Sequence, residues 1–122
     1  MEIQDLLLDK INNTLTWCYD DNIISVKEND VQNAMVYKKY RMVIVLVGQD
    51  KNPSKMKGFL SNGVLKFEHS PPEGFMFSFL TEHPDIGLAV VCGATNKVNG
   101  WYDWHFSINP KTGDMKRYCP AY

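Results

Sequence analysis

Cysteine is scarce in this chain and scattered: Cys18, Cys92 and Cys119 are odd in number and far apart. Without a CxxC pair they argue against a zinc ribbon or a disulfide framework, and they suit a reducing cytoplasm. Gly-rich phosphate loops are missing as well. Gly48 and Gly58 stand alone, with no GxGxxG or GxxxxGK around them. There is no basic excess: 13 Lys and Arg against 14 Asp and Glu leave a formal charge of -1. That balance disfavours nucleic acid and a membrane surface as partners. Leu6-Leu7-Leu8 follows Glu2 and Asp5 with neither a basic n-region nor a cleavage site, so it reads as neither signal peptide nor membrane span. The three histidines, His69, His83 and His105, lack ligand spacing such as HxxxH, and no metal or cofactor is expected. No internal repeat or linker divides the chain.

What is present is 122 residues at 44% hydrophobic content, enough for a single domain, 1–122, with one core. Ile3, Leu7, Ile11 and Leu15 repeat at four, which predicts an amphipathic helix from Glu2 to about Asp20. Ile23 to Lys27 reads as a short strand. Ala34 to Val47 reads as one long strand whose apolar half, Met42–Val47, is covered on both faces; a helix is the alternative for Val31–Tyr37. Asn62-Gly63 between Gly58–Ser61 and Val64–Phe67 marks a hairpin. Ser70-Pro71-Pro72-Glu73 resembles a capping box, and Phe75, Met76, Phe79 and Leu80 make an apolar stripe. Together they favour a second short helix over 71–82, with a strand as the alternative. Ile86–Cys92 reads as a buried strand and Ala94–Gly100 as a crossing loop. The resulting expectation is an α+β domain, with an N-terminal helix and a second short helix packed on a mainly antiparallel sheet of about 5–7 strands.

The most informative stretch is Gly100–Cys119. Strict alternation puts Tyr102, Trp104, Phe106 and Ile108 on one strand face, with Trp101, Asp103, His105, Ser107 and Asn109 on the other. Asn109-Pro110-Lys111-Thr112-Gly113 reads as a turn, after which the chain returns. With Asn109 near Asp114 across that turn, Asp103, His105 and Ser107 share a face with Lys116 and Tyr118; a one-residue slip would invert this. Asp103 and His105, roughly 6.5 Å apart at Cα, are the pairing a general base requires. Cys92 and Cys119 each end a strand, and beside His105 either is a thiolate candidate, against the commoner role of a small buried hydrophobe. Lys38, Lys39 and Arg41 interleave with Tyr37 and Tyr40. This pattern is shared by single-stranded nucleic-acid binders and by guarded sheet edges, and the guard is favoured.

Since no motif supplies a nucleophile with its oxyanion donors, the leading expectation is a non-enzymatic cytoplasmic binding protein. It would recognise another protein, in an inhibitor, immunity or antidefence-like role, through Trp101, Asp103, His105, Ser107, Lys116 and Tyr118. A homodimer is left open. The alternative is a pocket for a small polar or anionic ligand or a nucleotide, and a distant third is a small hydrolase or isomerase using Asp103 and His105.

Overall fold

A computed structural model describes all residues, Met1–Tyr122. The chain forms eleven strands: β1 (Gln4–Asp9), β2 (Thr14–Tyr19), β3 (Asn22–Lys27), β4 (Val31–Tyr37), β5 (Met42–Val47), β6 (Lys55–Leu60), β7 (Leu65–His69), β8 (Phe75–His83), β9 (Gly87–Val98), β10 (Trp101–Ile108) and β11 (Met115–Pro120). They build three antiparallel sheets of consecutive strands: β1-β2-β3, β4-β5-β6-β7 and β8-β9-β10-β11. The only helical element is a 3-10 turn at Lys38–Tyr40. No helix is long and apolar enough to cross a membrane.

The middle sheet is the packing platform. All six residues of β5 are buried, as its unbroken apolar run requires. Val43, Val45 and Val47 join Ile3, Leu15 and Trp17 in a cluster of 8 buried residues against the N-terminal sheet. Met42, Ile44 and Leu46 join Phe77, Val90, Trp104 and Phe106 in a cluster of 14 against the C-terminal sheet. Each such aliphatic side chain, fully buried, contributes about 1.5–3 kcal/mol. Polar ties cross both interfaces. Trp17 Nε1–H donates to the Ser61 carbonyl at 2.8 Å, and the Tyr37 hydroxyl donates to the Ile108 carbonyl at 3.2 Å.

The expected α+β class is therefore wrong; the fold is all-β. The predicted N-terminal helix is the β1–β2 hairpin, closed by a turn in which the Asp9 carboxylate accepts the Ile11 and Asn12 amides. A spacing of four is also a multiple of two, so it fits a strand as well as a helix. Asp5, at φ 58, shifts the phase, and Leu6 and Leu8 turn inward while Leu7 and Ile11 face solvent. The predicted second helix is strand β8. Its capping-box signature is a turn instead, with the Phe75 amide donating to the Pro72 carbonyl and Gly74 at φ 83. A bulge at Ser78 shifts the phase between Phe77, which is buried, and Leu80, which is buried again. That phase shift imitates a helical stripe.

Two boundaries also move. The single strand expected over 34–47 is folded in two by the turn at Lys38–Arg41, where Arg41 has φ 53. The crossing loop expected at 94–100 is instead the end of β9, followed by a two-residue Asn99-Gly100 turn that pairs Val98 with Trp101.

Candidate functional site

In the C-terminal sheet, Phe77–Cys92–Trp104 and Leu80–Val90–Phe106 are cross-strand rows turned into the core. The intervening rows face outwards: Met76–Gly93–Asp103, Phe79–Val91–His105–Cys119 and Thr81–Ala89–Ser107–Lys116, with His83 opposite Gly87. Small residues thus line β9 on this side, while larger ones rise from β8 and β10. Those two strands lie about 10 Å apart across β9. Over so low a floor two imidazoles can meet, and the His83 and His105 rings do, edge to face with centroids 4.9 Å apart. Ala89 and Val91 are buried although they point outwards, because the flanking side chains close over them.

Cys119 completes the group through a bulge. Ser107 pairs with Lys116 and Phe106 with Arg117, but His105 pairs with Cys119, so Tyr118 is the extra residue. The Cys119 Sγ lies 3.4 Å from His83 Nε2 and 3.6 Å from His105 Nδ1. The Asp85 amide donates to His83 Nδ1 at 3.1 Å. A ring accepting at Nδ1 carries its proton on Nε2 when neutral, so His83 donates to the sulfur, and the thiol in turn can donate to His105 Nδ1. Beside this chain the Tyr118 hydroxyl donates to Asp85 Oδ2 at 3.2 Å, and its ring stands 5.4 Å from that of His83. The hydrogen bond to Asp85, with the charge of that carboxylate, raises the Tyr118 pKa. All three donors are half-buried, so they are shielded yet reachable. They can act as a polarised thiol–imidazole relay or as ligands for a soft cation.

Of the partner-binding residues singled out in the sequence, His105 belongs to this centre and the others lie around it. Trp101 is exposed and stacks edge to face on Tyr122, centroids 4.5 Å apart. Tyr102, expected inside, is exposed as well, since the β9–β10 register is irregular before Asp103. Asp103 leans over Gly93, where an added Cβ would lie 3.1 Å from its Oδ1. It does not orient His105, whose Nδ1 faces Cys119 instead. Ser107 donates to the Lys116 carbonyl at 3.3 Å, and exposed Lys116 stays out of the cluster. Tyr118 reaches the centre only through His83 and Asp85.

His83 and Asp85 escape the sequence reading, which weighs Cys92 and Cys119 alike as thiols beside His105; the structure puts Cys119 there and Cys92 in the core. The alternative strand over Phe75–Leu80 stops short of His83; extended to His83, as β8 is, it places that residue outward in phase with Phe79. The bulge leaves no signal in the sequence. No protein-family model, curated protein or solved structure matches the chain.

Proposed function

We propose that the protein is a non-enzymatic cytosolic binding protein that recognises another protein across the outward face of its C-terminal sheet. The observation behind this reading is a group of large side chains left in solvent on and beside that face. Met76, Phe79, Trp101, Tyr102 and Tyr118 each keep 42–51% of their surface exposed. Tryptophan and tyrosine are enriched among the residues that dominate protein–protein affinity, and grouped exposed apolar side chains mark interaction surfaces. The face is presented by a sheet whose other side is locked into the larger core cluster, so little order has to be gained on docking. Lys97, Lys116, Asp85 and Asp103 supply a rim of both signs. Three unpaired cysteines favour a reducing compartment.

Affinity capture from the native host, comparing the wild type with a Phe79→Ser/Trp101→Ala variant of equal thermal stability, tests the reading. A partner retained by the wild type and depleted at least about tenfold by the variant is expected, a loss of about 1.4 kcal/mol or more. An identical set of captured proteins would overturn it.

A second reading has one observation in its favour. A cleft of about 480 Å³ opens between the Lys38–Tyr40 turn and the β8–β9 connection, lined by Lys38, Lys39, Tyr40, Asp85 and Ser107 among others. Its size suits a small ligand, and Lys38 and Lys39 against Glu82 and Asp85 suit a polar one carrying both signs. Thermal-shift screening against nucleotides separates it from the first reading, because a ligand there raises Tm without any partner protein.

A further inference from the structure

We propose that His83, His105 and Cys119 form a site for one zinc ion on the outward face of the C-terminal sheet. A sulfur and a nitrogen bound to the same tetrahedral zinc, at about 2.3 Å and 2.0 Å from it, are about 3.5 Å apart. The Cys119 sulfur stands 3.4 Å from His83 Nε2 and 3.6 Å from His105 Nδ1, and all three donor atoms fall within 4.8 Å of one another. An ion between them asks only for small side-chain rotations.

The scaffold already pays most of the ordering cost. His105 and Cys119 are direct cross-strand partners, and His83 reaches them over Ala89 from the far side of β9. All three side chains stand on strands or at a strand end rather than on loops. Two imidazoles and one thiolate are a borderline-soft set, which selects zinc over magnesium or calcium. With three protein ligands the fourth position is left to water, as in open zinc sites.

Binding displaces the Cys119 thiol proton to solvent, so affinity falls as pH falls. At His83 the ion takes the Nε2 lone pair, and the ring proton moves to Nδ1. The Asp85 amide then loses its acceptor, but Asp85 lies in an exposed turn where water replaces it. His69 belongs to a different sheet, bonded to the Thr112 carbonyl, and takes no part.

The test uses full-length protein without an affinity tag, stripped with chelator and titrated with Zn2+ by calorimetry and with Co2+ by absorption. One ion per chain is expected, with a thiolate-to-cobalt charge-transfer band and the visible bands of tetrahedral cobalt. Cys119→Ser should abolish the charge-transfer band. His83→Gln and His105→Gln should each weaken Zn2+ binding by at least about a hundredfold, more than is typical for residues that only support a ligand. His69→Gln should bind as the wild type does. Circular dichroism and Tm of each metal-free variant distinguish ligand loss from misfolding, and Zn2+ should raise Tm only where the triad is intact. Absence of stoichiometric binding by the folded wild type would overturn the proposal, as would binding that survives both His105→Gln and Cys119→Ser.

Discussion

Cys92 and Cys119 carry the same thiol in opposed surroundings. Cys92 is fully buried in the larger core cluster, and burial pushes its pKa up to about 12 from an ordinary 9.0. Cys119 is half-buried between two imidazoles. Alkylation of the folded protein stripped of metal by chelator, read by peptide mass mapping, should label Cys18 and Cys119 and spare Cys92. Labelling of Cys92 at a comparable rate would contradict its placement. The same shift has a consequence for stability. Below pH 9 the Cys92 thiol is neutral in both states. Between about 9 and 12 the unfolded chain releases this proton while the folded one keeps it, so stability falls as pH rises. A Cys92→Ala variant should therefore show a shallower alkaline loss in urea titrations. Trp17 is the residue on which the smaller cluster depends, being buried and bonded to the Ser61 carbonyl. Trp17→Ala should cost about 3–5 kcal/mol in the same measurement.

Bulges and turns decide which side chains the strands deliver. The extra residue at Tyr118 places Cys119, rather than Tyr118, opposite His105; the bulge at Ser78 keeps Phe79 and His83 outward while Phe77 and Leu80 stay in the core. Side chains from β4 and the β5–β6 loop brace β8 near that second bulge: Asn33 Oδ1 accepts the Leu80 amide at 2.6 Å, and Asn52 Nδ2 donates to the Phe77 carbonyl at 3.0 Å. On β6, Gly58 is the place where the Phe67 ring lies against backbone, and an added Cβ would collide with that ring. Phe67 also packs on Gly113 in the β10–β11 turn, so the ring has no free direction in which to yield. Gly58→Ala should destabilise the fold by about 1–3 kcal/mol, seen as a lowered midpoint in denaturant. A neutral result would show that the ring repacks.

Across the whole molecule, the two faces of the middle sheet are unequal. The cluster between it and the C-terminal sheet holds 14 buried residues, the one against the N-terminal sheet 8. Local opening follows the weaker interface, so amides of β1–β3 should exchange with deuterium before those of β5, β9 and β10. Uniform exchange would mean that all three sheets open together. The candidate site stands on the better-supported side, where a rigid face suits both partner docking and metal binding.

Some of this architecture can be read from composition and order alone. The apolar run Met42–Val47 requires a strand covered on both sides, Asn62-Gly63 requires a hairpin, and the alternation of Trp104, Phe106 and Ile108 aims one face of β10 inward, leaving His105 and Ser107 outward. These are local facts, set by side-chain periodicity and by residues that tolerate positive φ. Helix against strand at 2–20 and 71–82 was not local, because a period of four and a phase-shifting bulge both look helical until a pairing partner is supplied. That Cys119 rather than Cys92 joins His105, and that His83 meets both, was decided by tertiary structure. Their meeting depends on a small residue in an intervening strand and on one unpaired residue in the next, and neither leaves a spacing that a linear reading can detect.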